Sequence, residues 1–189
     1  HITNSIFFDI DKNSNRNTNL PHMLPSTKEW ENIVSNLGIN NSDHVIVYDN
    51  SDVFSSCRVW YTFLYFGHNP ELISVLDGNF EKWKNEKHST SQEIKKINKS
   101  NYIASENLKL VLSKDQINKN IISKKFQLID ARGEKRFLGL QPEPRKELRG
   151  GNIKGSKNLP FQELINNTED RTFKKREDLI KIFKERQIL

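Results

Sequence analysis

The sequence predicts an α/β protein made of two copies of one unit, each a parallel sheet flanked by helices, with the second copy truncated. Strand-like and helix-like segments alternate through the first ninety residues, the signature of a parallel sheet covered by helices. After a polar stretch the alternation resumes. A faint repeat at an offset of 151 lays HITNSIFFDI (1–10) on NIKGSKNLPF (152–161), Ile2 on Ile153 and Ser5 on Ser156. The same offset brings a helix expected at 26–38 onto the helix that ends the sequence.

SIFFDI (5–10) is a short β-prone run. STKEWENIVSNLG (26–38) combines an N-cap serine, Ser26, with apolar residues at helical spacing and a glycine stop, so a helix is expected there. HVIVYD (44–49) reads as a buried strand and CRVWYTFLYFG, from Cys57, as a buried helix. ELISVLDG (71–78) is a further strand and NFEKWKNEK (79–87) a short helix. The polar run KHSTSQEIKKINKSNYIAS then reads as a linker. This gives one domain at 1–87, a linker at 88–105 and a second domain at 106–189. In the second domain LVLSKDQINKNIISKKFQLIDAR supplies strand, capped helix and strand. KKREDLIKIFKERQIL (174–189) is an amphipathic helix with Leu179, Ile180, Ile182 and Phe183 near one face. The opening residues read as mid-domain sequence, and the second copy's counterpart of 44–57 is expected shortly beyond Leu189.

Composition narrows the function. Hydrophobic residues make up 34%, enough for a core because they cluster, yet runs such as WYTFLYF (60–66) are too short to span a bilayer. The net charge of +6 comes from scattered lysines without interleaved aromatics, which argues against nucleic acid. No membrane partner is expected either. One cysteine fits a reducing compartment, the cytoplasm or, in a eukaryote, the mitochondrial matrix. The histidines at 1, 22, 44, 68 and 88 lack ligand spacing, and no glycine-rich nucleotide loop occurs, so neither metal nor cofactor is expected.

DARGEKRFLGLQPEPRKELRGG (130–151) concentrates Arg132, Arg136, Arg145 and Arg149 among glycines and prolines that exclude regular structure. Such a loop suits a small anion, because a planar guanidinium gives a carboxylate two parallel charge-assisted bonds. The plainer alternative pairs these arginines with Glu134 and Glu143 on the surface.

LPHMLPS (20–26), DHVIVYD (43–49), FSSCRVWYTFLYFGH (54–68), VLDGNFEKW (75–83), LIDARGEKRFLGLQPEPR (128–145) and GNIKGSKNLPF (151–161) resemble the thiosulfate and 3-mercaptopyruvate sulfurtransferases, which carry two rhodanese domains. The resemblance covers nearly the whole chain apart from the linker. It implies two rhodanese-like domains, the first catalytically silent. It also implies transfer of sulfane sulfur from 3-mercaptopyruvate or thiosulfate to a thiol, such as thioredoxin, or to cyanide, through a cysteine persulfide. The family's loop Cys-Gly-Ser-Gly-Val-Thr-Ala is absent from these residues and is expected beyond Leu189, so the 189 residues alone should turn nothing over. Arg136 and Arg145 are the implied substrate-binding residues, and the presence of Arg145 favours 3-mercaptopyruvate. Asp11 and His22 are the implied catalytic partners of a serine in the missing loop, a carboxylate orienting an imidazole that polarises a hydroxyl. Arg132 is expected to be a structural ion-pair partner.

Cys57 lies eight residues past the position of the family nucleophile, which corresponds to about Asp49, so it is expected to be a core residue. The sequence departs from the family at Asn152 and Lys154 in GNIKGS, at Asn4 in HITNS and at Asn79 in VLDGN. Asparagine tolerates left-handed backbone angles, so its replacement of glycine is a mild change. A non-catalytic rhodanese module acting as a binding scaffold is the alternative of a different class. A phosphatase on the same fold is disfavoured by the Pro-Glu-Pro-Arg segment.

Overall fold

The computed structural model describes residues 1–145, 148–166 and 170–188. The chain divides into two units, His1–Val111 and Leu112–Leu189. In the first, α1 (Thr27–Asn36) begins at Ser26, whose hydroxyl accepts from the Glu29 amide while Glu29 accepts from the Ser26 amide. This capping box satisfies two amides that a helix start otherwise leaves unpaired. The helix stops at Gly38, with φ +71°. β1 (Val45–Val47), α2 (Ser55–Tyr65), β2 (Ile73–Val75) and α3 (Asn79–Asn85) follow. β1 and β2 pair in parallel, Val45 opposite Ile73 and Val47 opposite Val75.

Trp30 is fully buried at the centre of the core, stacked on Phe66 at 5.1 Å and edge-on to Phe63 at 5.0 Å. His68, 2% exposed, contacts Tyr102 Oη through Nδ1 at 3.1 Å and the Asp43 and Leu72 carbonyls through Nε2. Both ring nitrogens are thereby spent inside the core, where an unsatisfied polar atom would be costly.

Several sequence expectations change. SIFFDI forms no strand: Ile2 makes an isolated bridge to Thr90, while the Ile2 amide and Ser5 Oγ bond the Tyr48 hydroxyl at 2.9 and 2.8 Å. A side chain fastens this segment, with Phe8 and Ile10 against the core and Phe7 in solvent. LVLS likewise forms no strand but follows a 3-10 turn at Leu108–Leu110. The polar stretch expected as a linker is partly a strap, so the boundary falls after Val111. Tyr102, 2% exposed, enters the core; the Tyr102 amide bonds Ser35 Oγ, and the amides of Ser105 and Asn107 bond the Phe66 and Tyr65 carbonyls.

In the second unit α4 (Lys114–Ser123) starts with another capping box, Ser113 with Gln116. β3 (Ile129–Asp130) pairs in parallel with β4 (Lys157–Asn158), and α5 (Glu134–Phe137) is a single turn between them. α6 (Arg176–Glu185) turns Leu179, Ile182 and Phe183 partly inward, whereas Ile180 stays 38% exposed. The helix expected to run to Leu189 ends earlier, and Leu189 itself lies outside the described residues. Arg186 fastens the helix end to Glu163 at 2.6 Å.

Candidate functional site

In the first unit, the loop between Asp9 and Leu24 brings two of the expected catalytic residues together. Asp9 Oδ1 accepts from the amides of Asp11 and Lys12 at 3.1 and 3.0 Å, a tight turn that presents Asp11 outward. The Asn15 amide bonds the Met23 carbonyl at 2.8 Å and closes the loop. His22 Nε2 then lies 2.8 Å from Asp11 Oδ1, with both side chains accessible, 45% and 81% exposed. An ionised carboxylate only accepts, so in this contact Nε2 is the donor. His22 lines a small cleft, open to solvent, together with Asn13, Ser14, Trp30 and Arg58.

The end of β1 shows what surrounds Cys57. Asp49 follows that strand and occupies the turn into α2, its Oδ2 accepting from Ser51 Oγ and Ser55 Oγ at 2.7 Å and from the Ser56 amide at 3.1 Å. A helix N-terminus favours an anion, and here the carboxylate supplies it. Cys57 is half-buried in the helix behind. Burial, with the Asp49 charge second, pushes its thiol above the usual range, which suppresses the reactive thiolate.

In the second unit the described ends of the arginine loop meet. Gly139 has φ +72°, and a side chain there would meet the Gly151 amide nitrogen at 3.3 Å, so the two ends of the loop touch backbone to backbone. Arg132 grips Asp130 with Nε and Nη2, at 3.0 and 2.6 Å. It also reaches Glu143 Oε1 at 2.7 Å and the Gly151 carbonyl at 2.8 Å. This is the structural ion-pair role expected of it. Glu143, its side chain only 2% exposed, holds Arg136 on its other oxygen. Arg136 hydrogen bonding, aided by the charges of both arginines and opposed by desolvation, keeps the Glu143 carboxyl below the usual range. Asp130 is lowered chiefly by its hydrogen bond from Arg132.

Arg136 thus already has a carboxylate partner, on the edge formed by Nε and Nη2. Arg145 is exposed, and no ion pair engages it among the described residues. Lys146 and Glu147, beside it in the loop, lie outside the described residues. Sequence reasoning missed the anchoring roles of Arg58 and Asp49. The available signal was a single guanidinium within the otherwise apolar run RVWYTFLYF, and an acid at a strand end ahead of Ser55 and Ser56. Among the described residues no group of three His, Cys, Asp or Glu side chains could hold a metal, and no helix is long and apolar enough to cross a membrane.

Residues 1–86 match the model of the rhodanese-like domain. Across the whole chain the sequence is 38% identical to the thiosulfate sulfurtransferase of Mus musculus and 35% identical to the 3-mercaptopyruvate sulfurtransferase of the same species. It spans 63% of the length of each of these relatives. Among solved structures, SseA from Escherichia coli, whose crystal structure addresses the rhodanese fold and catalytic mechanism of 3-mercaptopyruvate sulfotransferases, aligns with all of the chain. The TM-score is 0.88 at 30% identity, and 69% of that chain is covered. Tum1 from Saccharomyces cerevisiae aligns with 99% of the chain at a TM-score of 0.84 and 32% identity, covering 65% of its own length.

Proposed function

This chain belongs to the thiosulfate/3-mercaptopyruvate sulfurtransferase family with the rhodanese fold, and from that premise we propose that the protein transfers sulfane sulfur from 3-mercaptopyruvate to a thiol or cyanide acceptor. A cysteine outside the 189 residues is the nucleophile. Its thiolate attacks the donor sulfur, the carbon–sulfur bond breaks, and a persulfide forms while the departing pyruvate enolate takes a proton. The acceptor thiolate or cyanide then removes the outer sulfur and regenerates the cysteine.

The observation that carries this reading is the Asp11–His22 contact, 2.8 Å between accessible side chains outside the hydrophobic core. Asp11 orients the ring by accepting from Nε2, and Nδ1 exchanges a proton with the reacting groups. Arg145, exposed and without an ion pair among the described residues, binds the donor carboxylate. Arg136, steadied by Glu143, adds positive charge from its open edge. A pair of arginines suits a substrate with a carboxylate and an adjacent carbonyl better than it suits thiosulfate, and this favours 3-mercaptopyruvate. Asp49 and the raised Cys57 thiol support a structural role for the turn from β1 into α2.

Steady-state kinetics on the complete protein test this. Arg145→Ala should raise KM for 3-mercaptopyruvate about tenfold or more and change the thiosulfate constants much less. Equal losses with both donors would overturn the choice of donor. The 189 residues, incubated with 3-mercaptopyruvate, should gain no sulfur atom by mass spectrometry. A persulfide on Cys57 would refute the assignment of the nucleophile.

A further inference from the structure

The next inference rests on the reading of Asp11 and His22 as the proton-handling pair, and concerns what holds that pair in place. Neither side chain is packed firmly: at 45% and 81% exposure, their contact is too wet to fix an imidazole by itself. The backbone of His22 also sits at φ +55°, a left-handed conformation that a residue with a Cβ adopts only when its surroundings impose it. The surroundings here supply one strong restraint. Arg58 Nη2 donates to the His22 carbonyl at 2.6 Å.

Arg58 is half-buried in the first turn of α2 and lines the same cleft as His22. No carboxylate pairs with it among the described residues, so the His22 carbonyl is the acceptor that compensates a partly desolvated cation. The turn that carries Arg58 is itself fixed from below. Asp49 ties Ser51, Ser55 and the Ser56 amide into one knot, and Thr62 Oγ1 bonds the Arg58 carbonyl at 2.8 Å. A rigid path therefore runs from the end of β1 through the start of α2 to the backbone of His22.

We propose that Arg58 is the positioning residue for His22, using the catalytically silent turn of the first unit as the scaffold that aims the imidazole at Asp11. Arg58 touches no reacting atom in this role. It holds the strained turn at 21–23, and through that turn the choice of ring nitrogen left for proton exchange. The remnant of an active-site loop in the first unit thereby serves the chemistry of the whole.

The test has two parts. On the 189-residue chain, ¹⁵N spectra of the His22 ring should show one dominant neutral tautomer, protonated on Nε2. Arg58→Met should average that pattern while the amide spectrum of the core around Trp30 stays unchanged, and Arg58→Lys should restore it in part. In the complete enzyme Arg58→Met should lower kcat about tenfold, leave KM within about twofold, and add no further loss in a His22→Ala background. A loss that persists in the His22→Ala background, or a ring pattern indifferent to Arg58→Met, overturns the positioning role. A His22→Ala enzyme with full activity sinks the proton-handling reading instead, and the ring spectra still decide what Arg58 does. Should Arg58→Met fail to fold, Arg58→Lys carries the test: an unaltered ring pattern with unaltered kcat overturns the inference.

Discussion

Glu143 is the residue on which the arginine loop turns. Almost inaccessible, it accepts from two guanidinium groups at once, and Asp130 balances the first of them. Both carboxyls are held below their ordinary values by these hydrogen bonds. Their contribution to stability is therefore complete above the unfolded carboxylate range and is lost as the pH falls through the lowered values. Glu143→Gln should melt lower than the parent at neutral pH and show a shallower fall in Tm on acidification. Parallel Tm curves for the two proteins from neutral to acid pH would show that Glu143 is not a linked group. Cys57 offers a second check at this scale. With its thiol raised by burial and by Asp49, alkylation at neutral pH should be at least about tenfold slower than that of a free cysteine, and should recover on denaturation.

At the scale of elements, the helices that carry local signals need little help from the rest of the molecule. α1 and α4 each begin at a serine whose partner three residues on, Glu29 or Gln116, completes a capping box. Ser26→Ala and Ser113→Ala should each cost about 1 kcal/mol, read from urea denaturation. A negligible effect at Ser26 would mean that packing around Trp30 alone holds α1. The asparagines that depart from the family glycines also behave as local chemistry dictates: Asn4 and Asn79 lie at φ +66° and +53°. Strands are different. SIFFDI and LVLS have strand-forming composition but no ladder, because a strand exists only where a neighbour meets its backbone. That neighbour is not specified by the segment itself.

For the whole molecule, the polar stretch after α3 decides how much sequence the first unit needs. Tyr102 is buried against Phe63 and His68, and Glu106 is bound by Thr27 and Tyr65. A chain ending at Val111 should therefore unfold cooperatively, whereas one ending at Lys87 exposes the faces of α1 and α2 that the strap covers. Circular dichroism melts of the two truncations test this. A cooperative melt of the shorter chain, at an unchanged Tm, would show that the strap adds nothing.

The sequence by itself determined the α/β class, the capped helices and the parallel β1–β2 pair, and it named Asp11, His22, Arg136 and Arg145 as candidates. Each of these depends on periodicity, on a cap within a few residues, or on motif blocks that survive in linear order. Tertiary structure decided the rest. It placed Tyr102 in the core, gave Arg136 the carboxylate of Glu143, set Asp49 into the turn before α2 and tied Arg58 to His22. Asp11 and His22 were named from the sequence, but their distance was not. The physical reason is range: caps and turns are decided among neighbours, whereas the partner of a buried charge is chosen by whatever the folded chain brings within about 3 Å of it.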